Sequence, residues 1–249
     1  MAVRLQLFGS PTIECDGAPV ALPFERRSQL VVLLALRRAW VGRAELAAML
    51  WPDQAPKLAF SNLRKTLFRL QGLRWGDRLE AQGGSLRFEA DTDVLAFEQA
   101  LREQRPADAL ALHRGTLLAG FDDDANEAWT GWLHFERDRL HAAWRAAALD
   151  HLNGADAAEG IGLSARLLEA DPLDESALRA NMALLARAGQ TARARQVYRE
   201  FVARLADELG IAPGPELQAL HNALGKAAGA SVSVAGRDGT VIALATSSA

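Results

Sequence analysis

The segment FSNLRKTLFRL, Phe60 to Leu70, places Arg64, Lys65 and Arg69 within eleven residues of a chain whose formal net charge is −3. On a wheel of about 100° per residue, Phe60, Leu63, Leu67 and Leu70 fall within one quarter of the circle, which is read as the buried face. Ser61, Asn62, Lys65 and Arg69 fall opposite, with Arg64 and Phe68 on one flank. The outward face offers cations, an amide and a hydroxyl, and no carboxylate. Cations hold phosphates through charge and counterion release, and Arg and Asn also match base edges in the major groove. The chemistry suited to this face is duplex binding. The plainer alternative is a solvated charge run of the kind any exposed helix carries.

The flanking elements decide between them. VRLQLFG (3–9) and TIECDG (12–17) alternate as strands, APVAL (18–22) reads as a third, and Pro11 and Gly17 mark turns. From Arg26 the period becomes helical, and Leu30, Leu33, Leu34 and Leu36 form the stripe of a buried helix ending near Arg38. A second helix carries Leu46, Met49 and Leu50 and stops at Trp51-Pro52. The cationic helix follows over 57–71. RLEAQGGSLRFEAD (78–91) then alternates on both sides of Gly83-Gly84, a hairpin with a two-glycine turn. Three helices and a hairpin are the winged helix-turn-helix order, in which the third helix enters the major groove and the hairpin lies beside the backbone. Lys57, Arg64, Lys65, Arg69, Arg74, Arg78 and Arg87 face only Asp77 and Glu80 in that stretch.

Beyond Asp93 every segment is helical in period up to about 224. Sliding the chain against itself by 35 residues aligns Gly154 with Gly189, Ala157 with Ala192 and Leu163 with Tyr198, close to the tetratricopeptide spacing. Such stacked hairpins bury a continuous core and leave a groove for protein partners. The tail, 225–249, is rich in small residues; SVSVA and TVIALA around GRDG read as a mobile end or a short hairpin. Charge divides the same way: residues 1–91 carry 13 Lys/Arg against 9 Asp/Glu, and the remainder 15 against 22. Two modules with different partners are expected.

Other chemistries find little support. Asp122, Asp123 and Asp124 with Glu127 lack the spacing of a Ca²⁺ loop and read as an exposed connector. The five histidines are scattered, and Trp129, Trp132 and Trp144 read as core or groove wall. Phosphate-loop, nucleophile-elbow and zinc-protease motifs are missing, so no enzyme activity, cofactor or metal is expected. A single cysteine, Cys15, fits a reducing compartment, and the longest apolar run, LVVLLAL, is too short to span a bilayer. A cytoplasmic, nucleoid-associated protein is expected.

The order of these pieces and several phrases resemble the bacterial regulators called Streptomyces antibiotic regulatory proteins. The phrases are VRLQLFGSPTIECDGAPVAL, RAELAAMLWPD and SNLRKTLFRL, then LHRGTLLAGF, WLHFERDRL and LADELGIAPGPEL. They span about residues 3–224. The resemblance implies an OmpR-like winged helix over 1–91, α+β in class, joined to an all-α, tetratricopeptide-like transcriptional activation domain over 93–224. It also implies an activator that binds direct repeats near a promoter and contacts RNA polymerase; the helical domain is expected to self-associate or to contact regulators and RNA polymerase. Carried onto this chain, the DNA contacts are Lys57, Ser61, Asn62, Arg64, Lys65 and Arg69 on the reading helix, with Arg78 and Arg87 on the wing. Phe68 is expected to pack on the neighbouring helix, the other reading being a thymine methyl. Two rivals stand beside this: a protein-interaction scaffold, and the front end of a larger signalling ATPase.

Overall fold

The computed structural model describes residues 3–15 and 17–232. Contact density divides the chain into two compact units, Met1–Ala147 and Ala148–Ala249. In the first, strands β1 (Val3–Gln6) and β2 (Thr12–Cys15) pair antiparallel, with Leu5 opposite Ile13, and β3 (Val20–Ala21) extends the sheet. Alternation puts Val3, Leu5 and Ile13 in the core while Arg4 faces water. Helix α1 (Arg26–Arg37) is buried along Leu30–Ala35, which explains its unbroken apolar run. It ends where Arg38 turns left-handed, φ 53°, and donates its N–H to the Leu34 carbonyl. Strand β4 (Val41–Gly42) leads into α2 (Arg43–Leu50), and α3 (Pro56–Gln71) begins with proline in its first turn, where no N–H is needed. A 3₁₀ turn, Gly76–Arg78, leads to β5 (Leu79–Gln82) and β6 (Ser85–Phe88), which with β4 form a sheet of order β4-β6-β5.

Two-residue strands carry no periodic signal, and β4 and β7 (Asp91–Thr92) were not expected. β7 pairs parallel to β1 and closes the first sheet as β3-β2-β1-β7. The following helix α4 (Asp93–Arg102) packs on this sheet at β7 and β1, and α5 (Pro106–Leu112) packs on α4. The half-buried Asp93 carboxylate accepts from the N–H groups of Leu7 at 2.8 Å and Phe8 at 3.0 Å, and Phe8 bridges to Leu117. The contact-density boundary therefore falls within the long helix α6 (Glu127–Leu152) and not near residue 92.

The acidic connector before α6 leaves Asp122, Asp124 and Glu127 exposed, as expected, but not Asp123. Asp123 is largely buried and pairs with Arg26 of α1 at 2.5 Å; Asp122 takes a forked contact from Arg137. Cations compensate these carboxylates, so they need no metal. Among the described residues no group of three or more His, Cys, Asp or Glu stands where it could hold a metal ion. No described helix is long and apolar enough to cross a membrane.

The second unit holds α7 (Ala157–Ala170), α8 (Glu175–Arg187), α9 (Thr191–Leu209) and α10 (Pro215–Val232). Asp156 and Asp174 cap α7 and α8 by accepting backbone N–H groups. Gly154 and Gly189 lie two residues past the ends of α6 and α8, and Ala157 and Ala192 near the starts of α7 and α9, so the 35-residue offset tracks the helical repeat. Leu178, Met182, Leu185, Phe201, Leu205 and Leu217 form the core. Beside it a buried polar contact joins α8 to α7: Asn181 donates to the Ser164 hydroxyl at 2.9 Å. Helix α10 takes in Ser231 and Val232, the start of the expected tail hairpin, and the rest of that hairpin lies outside the described residues.

Tyr198 of α9 stacks on His221 of α10 at 4.0 Å between ring centroids. Burial, with Arg195 and Arg199 nearby, holds the His221 imidazole below 6.5. The unfolded chain then protonates first as pH falls, so this contribution to stability is full above 6.5 and is lost on acidification through the folded value. Urea unfolding at about pH 8 and pH 5.5 is expected to show a native loss that His221→Phe, which keeps the stack, lacks. Equal losses in both would place the titration elsewhere.

Candidate nucleic-acid interface

Helix α3 buries Ala59, Leu63, Thr66, Leu67 and Leu70. Phe60 is not among them: it is 40 % exposed, and the buried stripe is centred between Leu63 and Leu70, with Ala59 and Thr66 completing it. The rotation leaves Lys57, Arg64, Lys65 and Arg69 exposed and Ser61 and Asn62 half-exposed, so the six expected α3 residues share the solvent side. No acid lies on the helix. Among the described residues none of the four cations forms an ion pair. Asn62 donates to Gln54 Oε1 at 2.5 Å, which ties the helix to the preceding turn, and Thr66 donates back to the Asn62 carbonyl at 2.9 Å.

Phe68 overturns its expected packing. Its ring is 78 % exposed, in the middle of the solvent side and one turn from Arg64 and Lys65. Leu58, also exposed, is a second apolar residue on that side.

The wing is fixed by its turn and by its root. Gly83 and Gly84 take φ of 57° and 84°, the two positive angles that let a two-residue turn follow the strand twist. The register pairs Glu80 with Arg87 and Gln82 with Ser85. At the root, Trp75 meets Phe88 edge to face at 5.8 Å. A Cβ on the buried Gly76 would stand 2.2 Å from the Leu70 carbonyl oxygen, so the chain leaves α3 by a path only glycine permits.

Arg78 and Arg87 occupy a different setting from the α3 cations. Arg87 pairs with Glu80 at 2.8 Å and lies over the Trp40 ring at 5.0 Å. With Arg38, Glu89 and Asp91, both line a cavity of about 380 Å³ at the base of the wing. Their Nε atoms are shut off from solvent without an acceptor among the described residues.

The family described as "Bacterial transcriptional activator domain" matches residues 84–224. The regulatory protein AfsR of Streptomyces coelicolor is 28 % identical over 237 residues, covering 88 % of this chain and 24 % of the relative. AfsR of Streptomyces griseus is 27 % identical over 212 residues, covering 79 % and 22 %. The chain thus spans about a quarter of the length of these relatives. Among solved structures, Mycobacterium tuberculosis EmbR, in complex with a low-affinity phosphopeptide, superposes with a TM-score of 0.66 at 22 % identity, covering 90 % of this chain and 65 % of EmbR. That likeness shows the fold, a winged helix followed by a helical domain.

Proposed function

The chain belongs to the bacterial transcriptional activator domain family, as a regulator of the Streptomyces antibiotic regulatory protein type, and on that premise we propose that it binds promoter duplex DNA through α3 and the β5–β6 wing. Lys57, Ser61, Asn62, Arg64, Lys65 and Arg69 are the contacts in the major groove, and Arg78 and Arg87 lie beside the phosphates. The functional modules are 1–91 for DNA and 93–224 for self-association or contact with RNA polymerase, acting as an activator at direct repeats in the nucleoid.

The observation that carries this reading is the exposed, acid-free side of α3. Four cations there lack an internal partner among the described residues. A duplex supplies the missing anions at the spacing of a backbone. Fluorescence anisotropy on a random-sequence duplex across a salt series is expected to give log K falling against log[salt] by about 0.9 per phosphate contacted. Binding that ignores salt, or none at all, would remove DNA as the partner of this face.

A further inference from the structure

We propose that Phe68 is a specificity-determining residue, its ring taking the C5-methyl group of a thymine in the major groove. This deepens the DNA-binding reading of α3 and rests on it. The ring is 78 % exposed on a helix whose own core stripe is complete without it. Arg64 and Lys65, one turn back, and Arg69, next in the chain, surround it with positive charge, and the helix carries no acid. An apolar protein surface laid over Phe68 would strand those charges without partners. A duplex satisfies both demands at once. Its phosphates pair with the cations, and the thymine methyl is the apolar group that its major groove presents to a side chain. Ser61, half-exposed on the same side, can meet a base edge nearby, whereas the Asn62 amide is already donated to Gln54 Oε1.

The geometry also sets what Phe68 reads. An aromatic ring has no donor or acceptor for a base edge, so it distinguishes a methyl-bearing pair from one without, and not purine from pyrimidine by hydrogen bonding. Its discrimination is therefore sensitive to one methyl group and insensitive to salt, the reverse of the cations around it.

The test selects sites for the full chain and for Phe68→Ser from a duplex pool with a random core, then resynthesises the native site with dU in place of each dT. Thermal melts check that the exposed substitution leaves the fold intact. At one or two positions dU is expected to weaken native binding on the order of four-fold, the worth of one buried methyl group. Phe68→Ser is expected to be indifferent there and to select a site relaxed at the same pair. Steep salt-dependent binding with no dU position that separates the two chains would overturn the role of Phe68 and leave the DNA reading intact. Failure of the native chain to retain any duplex would overturn both. A shift in sedimentation from dimer to monomer on Phe68→Ser, with dU without effect, would reassign the ring to a contact between two copies of the chain.

Discussion

Replacing Arg64, Lys65 and Arg69 together with alanine is expected to lower the salt slope of duplex binding by about 2.7, three phosphates at 0.9 each. Because the contribution is counterion release, the loss depends on salt. It is roughly a hundred-fold at about 0.15 M and roughly three-thousand-fold at about 0.05 M. All three side chains are exposed, and none has an ion-pair partner within the protein among the described residues, so their removal strands no internal charge. The variant should therefore melt with the native chain, and alanine slightly favours the helix. Anisotropy titrations at several salt concentrations separate the cases. A parallel displacement of the two lines, with slope unchanged, would mean that the cations act by a route other than phosphate neutralisation. Coincident lines would return α3 to the status of a solvated charge run. By contrast Arg87, already held by Glu80 and Trp40, should lower the slope less when replaced, because its charge is partly compensated before DNA arrives.

Much of the N-terminal part was legible because its signals are local. The apolar run of α1, the Trp51-Pro52 stop after α2 and the two glycines of the wing each constrain a few residues by sterics or burial, and each stands where the sequence placed it. The phase of α3 was harder. Counting Phe60 with Leu63, Leu67 and Leu70 put it at the edge of the buried quarter, and the helix turns that edge outward. For the packing expected of Phe68 the contrary signal was present: it lies two residues from Leu70, or about 200° around the helix, away from the buried stripe. What the sequence did not disclose is long-range. β4 and β7 exist by pairing with β6 and β1. Asp93 is an ordinary first-turn acid until the chain returns to set it under the Leu7 and Phe8 amides, 86 and 85 residues away. Asp123 reads as one of three exposed acids until Arg26 is brought beside it.

Trp129 and Trp132 should respond unequally to the same substitution, although both are tryptophans near the start of α6. Trp129 is fully buried, and its Nε1–H donates to the Phe121 carbonyl at 2.7 Å. Its own backbone N–H is taken by the Asn126 side chain, whose amide donates in turn to the Met49 carbonyl at the end of α2. Removing the side chain in Trp129→Ala leaves a large cavity at this junction and is expected to cost about 3–5 kcal/mol, a fall of roughly 10 °C in Tm. Trp129→Phe keeps most of the ring but deprives the buried Phe121 carbonyl of its donor, worth about 1–3 kcal/mol. In Trp132 the Nε1 atom is equally shut off from solvent, yet it has no acceptor among the described residues. Trp132→Phe therefore removes a donor that was already unsatisfied, and its cost should stay within about 1 kcal/mol. Chemical unfolding of the two phenylalanine variants side by side isolates the hydrogen bond from the loss of ring volume they share. Equal losses would show that Trp129 acts through volume alone. A larger loss at Trp129 would make the Phe121–Trp129–Asn126–Met49 chain the support of α2, and through α2 of the helix proposed to meet DNA.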